Sequence, residues 1–182
     1  MKERVVASIK RGEVVILPLE HSYVYACDAF SFAAVNRLHQ LRNDPPGIAA
    51  QVIVGKVATL GGLAQGVSPE IKDLAEEFWP GLLTLNLPQN QSLTWDLGDG
   101  GYLNQFMVRV PNNEFALSLL KETGPLAVAS AGLSGRPALR EPGEINEVFG
   151  SVVHLICDGG ALDLALGSTV VDATAFPHRI VR

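Results

Sequence analysis

The sequence predicts an α/β domain built around a mixed β-sheet, and three observations carry that expectation. Segments with apolar residues at helical spacing and short runs rich in β-branched residues are interspersed along the chain, the order expected of helices packed on a sheet. The two kinds of segment do not alternate strictly, so a mixed sheet is expected rather than a parallel one. At 182 residues and 47% apolar composition, the chain suits one substantial core and is short for two, so residues 1–182 are taken as a single domain.

Val5, Val6 and Ile9 share one helical face within residues 3–11, and Gly12 ends the pattern before a buried strand at Val14-Val15-Ile16-Leu17. Ser31 is placed to cap a helix running to about Leu41, with Phe32, Val35, Leu38 and Leu41 on one face. Asn43-Asp44-Pro45-Pro46-Gly47 breaks it. A strand follows at residues 49–54. Ser68-Pro69-Glu70 opens the next helix through Ile71, Leu74 and Phe78, and Trp79-Pro80-Gly81 stops it. Residues 83–87 and 106–110 read as strands. Asn112 or Asn113 caps a helix through Lys121, and Gly124-Pro125 leads into a strand at residues 126–129. A helix near residues 144–149 precedes strand-like runs at 152–157, 168–172 and 179–181. Internal repeats, heptads and low-complexity segments are absent.

Composition narrows the function classes. A net charge of −5 opposes non-specific attraction to nucleic acid over the whole surface. The apolar runs are too short to span a bilayer, and the N-terminal segment lacks the pattern of a secretory signal, so a cytoplasmic protein without membrane contact is expected. Cys27 and Cys157 have neither a CxxC partner nor a nearby His pair, which favours two buried thiols over a metal site. The common P-loop, dinucleotide, HExxH and GxSxG signatures do not occur.

Four segments, in order, carry the functional signal. Gly12 to Pro18 followed by Tyr23 and Ala26-Cys27-Asp28-Ala29 is similar to an opening strand and a Pro-Thr-Asp/Glu-Thr-Val-Tyr-Gly-Leu motif. Phe78-Trp79-Pro80-Gly81-Leu82-Leu83-Thr84 resembles a Phe-Trp-Pro-Gly-Pro-Leu-Thr block. Val108-Arg109-Val110-Pro111 and Ser130-Ala131-Gly132-Leu133-Ser134-Gly135 resemble a Val-Arg-x-Pro and Ser-Ala-Asn-x-Ser-Gly pair. Ser168-Thr169-Val170-Val171-Asp172 with the closing Arg179 to Arg182 resembles a Ser-Thr-Val-Val-Asp strand and a terminal Arg strand. Each motif is weak alone. Together, from near residue 5 to the C-terminus, they resemble the YrdC/YciO-like family, which includes the threonylcarbamoyl-AMP synthases.

That resemblance implies a twisted mixed sheet with flanking helices and a concave groove near Ser130, Arg109 and Ser168. It also implies an activity in which threonine, bicarbonate and ATP, with Mg²⁺ sharing the phosphate charge, give threonylcarbamoyl-AMP and pyrophosphate for tRNA modification. Family members are also described as binding double-stranded RNA. Carried over position by position, the nucleotide- and substrate-binding residues are Tyr23, Arg42, Arg109, Ser130, Ser168, Thr169 and Arg182. The arginines would offer forked donors to phosphate or carboxylate, and the hydroxyl residues would donate from loop edges.

Several positions depart from the motifs. The two threonines of the opening motif are Leu19 and His21, its Gly-Leu is Val24-Tyr25, and the Asn of the Ser-Ala-Asn block is Gly132. A Lys-x-Arg motif reads Arg42-Asn43-Asp44, so a cation becomes an anion, expected to repel a bound phosphate or carboxylate.

Each singled-out residue has a plainer reading beside the functional one. His21 is either an acid/base or phosphate contact or a space-filler beside the strand end. Arg42 either grips an anion or caps the carbonyls that end its helix. Phe78 and Trp79 read better as core anchors than as stacking platforms. The 132–135 loop is either an anion nest or a tight connection. Three function classes stay open: a nucleotidyltransferase with an altered pocket, a module that holds nucleotide or structured RNA without turnover, and a regulatory paralogue.

Overall fold

The computed structural model describes residues 1–182. Nine strands form one sheet: β1 Val15–Pro18, β2 Tyr23–Asp28, β3 Gln51–Ile53, β4 Leu83–Pro88, β5 Gln105–Arg109, β6 Leu126–Ser130, β7 Leu155–Ile156, β8 Thr169–Asp172 and β9 Arg179–Ile180. Their spatial order is β7-β1-β2-β6-β3-β5-β4-β8-β9. Three pairs are parallel (β1 with β7, β3 with β5, β4 with β8) and the others antiparallel, so the sheet is mixed as expected.

Side chains alternate between the faces of a sheet, so the register sorts them. One face carries Ile16, Tyr25, Cys27, Ala127, Val52, Val108, Leu85 and Val171, all in a single apolar cluster. It is covered by α2 (Phe32–Arg42), α3 (Leu60–Leu63), α4 (Pro69–Phe78) and α6 (Pro142–Phe149), through residues such as Leu38, Leu63, Ile71 and Phe149. The opposite face carries Val15, Leu17, Val24, Ala26, Ile53, Leu126 and Val128, packed against α1 (Lys2–Lys10) and α5 (Glu114–Thr123). Each fully buried valine, leucine or isoleucine among them stabilises the fold by about 1.5–3 kcal/mol.

This second layer stops at β3. Across β5, β4 and β8 the same face carries Met107, Arg109, Thr84, Asn86, Val170 and Asp172, which are mostly polar. A helix laid over them would desolvate amides and carboxylates with little apolar area in return. Half of this face is therefore free of helices, and that half positions the site.

Helix starts follow the sequence closely. Ser31, Ser68 and Asn113 accept hydrogen bonds from the backbone N–H of Ala34, Ile71 and Ala116 respectively, so Asn113 rather than Asn112 is the cap of α5. The differences lie elsewhere. β2 is a full strand paired with both β1 and β6, whereas its residues drew attention in the sequence only as a motif. The 3₁₀ turn Val57–Thr59 and the short α3 were not expected, because Gly61-Gly62 masks any helical signal. The strand expected over 152–157 contracts to Leu155–Ile156 at the sheet edge. Both cysteines are free and buried, and burial pushes Cys27 up to about 12 and Cys157 to about 11. No helix is long and apolar enough to cross a membrane.

Candidate functional site

A line of polar groups crosses the helix-free half of the sheet. Gln51 Nε2 donates to Thr84 Oγ1 at 3.2 Å, and Thr84 Oγ1 lies 2.7 Å from Ser168 Oγ. Arg182 completes the line, donating from Nη2 to Ser168 Oγ and from Nε to the Ser168 carbonyl, both at 3.3 Å. Thr84 and Ser168 are buried, while Arg182 is exposed at the end of the line. Thr169, exposed at the start of β8, is fixed by its N–H to the Leu82 carbonyl at 2.9 Å. Three of the expected residues, Ser168, Thr169 and Arg182, are thus brought together.

Arg109 ends β5 with its fork already occupied. Its Nη1 and Nη2 donate to the two oxygens of Glu20 at 2.6 and 2.9 Å, and Nη1 also reaches the Gly81 carbonyl at 3.3 Å. The Asn112 N–H donates to Glu20 Oε1 at 2.7 Å. Burial pushes the Glu20 carboxyl up, but the hydrogen bonds and charge of Arg109, with the Asn112 N–H, outweigh it and hold it below its ordinary value. Glu20 was not singled out in the sequence. Its signal was the Asp/Glu position of the opening motif, but its partner stands 89 residues away.

That ion pair draws the β1–β2 connection across the sheet. Leu19 turns inward and packs in the core beneath α1 and α5. His21 instead lines a cavity of about 620 Å³ with Ser22, Ser130, Arg136, Arg140 and Leu164. Its Nδ1 is buried without a hydrogen-bond partner. Burial, and then the positive charge of Arg109, lower its titration below the ordinary histidine range; Glu20 opposes this and Arg182 adds to it.

Arg42, at the end of α2, donates from Nη1 to the carbonyl of Ser130, a residue that lines this cavity. Its Nε donates to Asp44 Oδ2 at 3.0 Å, and the same oxygen lies 2.9 Å from His39 Nδ1. His39 Nε2 meets the Leu97 carbonyl at 2.8 Å, and a Cβ at Gly98 would collide with that ring at 2.1 Å. Burial raises the Asp44 carboxyl, but the neighbouring Ser134 together with the hydrogen bonds from His39 and Arg42 to Oδ2 bring it below its usual value. The repulsion expected from an anion at position 44 is thus met inside the protein, because two basic side chains share the buried carboxylate.

Tyr23 is fully buried, and its hydroxyl accepts from the Gly159 N–H at 2.8 Å and donates to the Gly160 carbonyl at 2.9 Å. It ties β2 to the β7–β8 connection, whose Leu164 walls the cavity. Gly132 has φ +153°, and a Cβ there would sit 3.2 Å from the Pro137 carbonyl oxygen, so the backbone at this position favours glycine.

Residues 7–182 match the Sua5/YciO/YrdC family model, which is described as telomere recombination. The chain belongs to this family. A provisionally named threonylcarbamoyl-AMP synthase of Mycobacterium tuberculosis is 35% identical over 177 residues, covering 97% of this chain and 81% of the relative. The threonylcarbamoyl-AMP synthase of Pyrococcus abyssi is 32% identical over 175 residues, covering 96% of this chain and 51% of that protein. Among solved structures, P. abyssi Sua5 complexed with L-threonine superposes with a TM-score of 0.91 at 30% identity, over all of this chain and 53% of that one. Escherichia coli YciO superposes at 0.88 and 25% identity, with 100% and 87% covered. This member of the Sua5/YciO/YrdC family therefore spans most of YciO but about half the length of the Pyrococcus protein.

Proposed function

We propose that this chain binds MgATP and a small carboxylate substrate on the helix-free half of its sheet, and that its reaction is of the threonylcarbamoyl-AMP synthase type. In that reaction threonine and bicarbonate condense to a carbamate with loss of water, a carbamate oxygen attacks the α-phosphorus of ATP, and pyrophosphate leaves. The observation that carries the reading is the continuous polar line from Gln51 through Thr84 and Ser168 to Arg182, whose charge acts on His21 in the cavity that Ser130 also lines.

The residues divide the work by their positions. Arg182, exposed and held at one edge by Ser168, is placed to meet phosphate or carboxylate with its free guanidinium edge. Ser130 and Thr169 lie exposed at strand ends and offer hydroxyl donors. Arg109 acts through Glu20 by fixing the hairpin that carries His21. Tyr23 acts through the 159–160 backbone. Mg²⁺ enters with the phosphates as part of the substrate. A cytoplasmic role connected with tRNA modification follows from the same reading. Binding of structured RNA has less support, since the net charge is −5.

The test is pyrophosphate release from MgATP with threonine and bicarbonate, each omitted in turn, beside an active family member. Release that needs both substrates is the expected result. Release indifferent to their omission, or none while the control turns over, removes this activity.

A further inference from the structure

His21 occupies a position where the family motif has threonine, and three features of its surroundings fit together. Nδ1 is buried and meets no donor or acceptor. The ring is only partly buried and lines the cavity, so its exposed edge is the one away from Nδ1. Guanidinium charge from Arg109 and Arg182 acts on the ring, and the Glu20 carboxylate opposes it. Arg136, Arg140, Glu141 and Glu144 line the rest of the cavity around it.

These features select one protonation state. An imidazolium carries an N–H on both nitrogens, and placing one on Nδ1 would bury a charged donor with no acceptor, a costly arrangement. A neutral ring protonated on Nδ1 would bury an unpaired N–H. The neutral ring protonated on Nε2 leaves only a lone pair inside and turns its N–H outward. We propose that His21 is a specificity-determining residue that acts as a neutral hydrogen-bond donor, presenting Nε2–H to an anionic oxygen of the bound substrate. This rests on the proposed function, with the cavity lined by His21 taken as part of the substrate site beside the polar line. The donor replaces the threonine hydroxyl of the motif with a longer reach and a fixed direction. A neutral imidazole held this way gives its hydrogen bond without taking up a proton, as in other enzyme sites. The anionic oxygen belongs either to the carboxylate of the amino acid or to a phosphate of the nucleotide.

The experiment has two arms on the full chain. Nitrogen-15 NMR of the unliganded protein reads the tautomer of His21 directly. The expected result is a neutral ring protonated on Nε2 that persists below the ordinary histidine pKa of about 6.5. A ring protonated on Nδ1, or one that titrates normally, overturns the proposal. The second arm titrates threonine and ATP separately into wild type, His21→Gln, His21→Asn and His21→Phe. A glutamine amide reaches the Nε2 position and an asparagine amide does not. Glutamine is therefore expected to bind within a few-fold of wild type, while asparagine and phenylalanine lose about 10- to 100-fold for one ligand, the range of a hydrogen bond to a charged group. The ligand that weakens identifies which oxygen is met. Equal binding by all four proteins overturns the role of His21 alone. If wild type binds neither ligand while its tautomer is as expected, the substrate-site reading itself fails, and this role with it.

Discussion

Glu20 and Arg109 are both largely buried, with side-chain exposures of 14% and 6%. Such a pair matters most when half of it is removed, since the remaining charge is then stranded. Glu20→Gln is expected to lower stability by about 3–5 kcal/mol in urea unfolding, the usual cost of breaking a buried pair. Adding Arg109→Met should restore part of that loss, because no unpaired guanidinium remains. A double variant less stable than Glu20→Gln would show that the ion pair is not what holds the β1–β2 connection. The pH dependence has a definite sign. The folded-state pKa of Glu20 is depressed, so its stabilisation is fully present above the unfolded value of about 4.3 and is lost as pH falls through the lower folded value. The stability gap between wild type and Glu20→Gln should therefore narrow as the medium is acidified below that point. A gap unchanged from pH 7 to strongly acid conditions would contradict the assignment.

Asn43 makes the turn that ends α2, in a left-handed conformation with φ 57° and ψ 44°. The reversal lets Asp44 fold back so that its carboxylate receives both Arg42 and His39. Glycine tolerates this conformation, whereas a β-branched residue does not. Asn43→Gly is expected to leave stability nearly unchanged, and Asn43→Val to cost about 1–2 kcal/mol, read from thermal or urea midpoints. Equal effects of the two would mean that the turn is not under conformational constraint. At this scale the sequence was readable where the signal is local. Ser31, Ser68-Pro69 and Asn113 announced their helices, and the Asn43 to Gly47 cluster announced the break after α2. It was unreadable where the outcome depends on what lies across the sheet. The six residues of β2 are buried on both faces apart from its last residue, so they show no alternation and read as a motif. The site divides the same way. Motif order pointed to Ser168, Thr169 and Arg182, which meet in space. It gave no hint that Arg109 is held by Glu20 or that Arg42 is shared with Asp44, since charge pairing depends on distances that only folding sets.

Across the whole molecule, two apolar layers hold the sheet while half of one face carries polar residues with no helix over them. The polar groups exposed at the edge of that half, Arg182 and Thr169, gain little from folding alone, so a ligand that pairs with them adds stability by mass action. MgATP at about one hundred times its dissociation constant is expected to add about 2.7 kcal/mol. For a chain of this size, that corresponds to a rise in melting temperature of roughly 5–10 °C. The shift should depend on Arg182, whose guanidinium is held by Ser168 on one edge and exposed on the other. Arg182→Gln keeps a donor but removes the charge, so at the same MgATP concentration its shift should fall well below that of wild type. The unliganded variant should melt close to wild type, because an exposed arginine with two 3.3 Å hydrogen bonds contributes little to the fold. Equal shifts in the two proteins would place the nucleotide away from this line of residues. A variant that already melts well below wild type without ligand would instead assign Arg182 to holding β8 and the C-terminal strand together, making its part in the site structural.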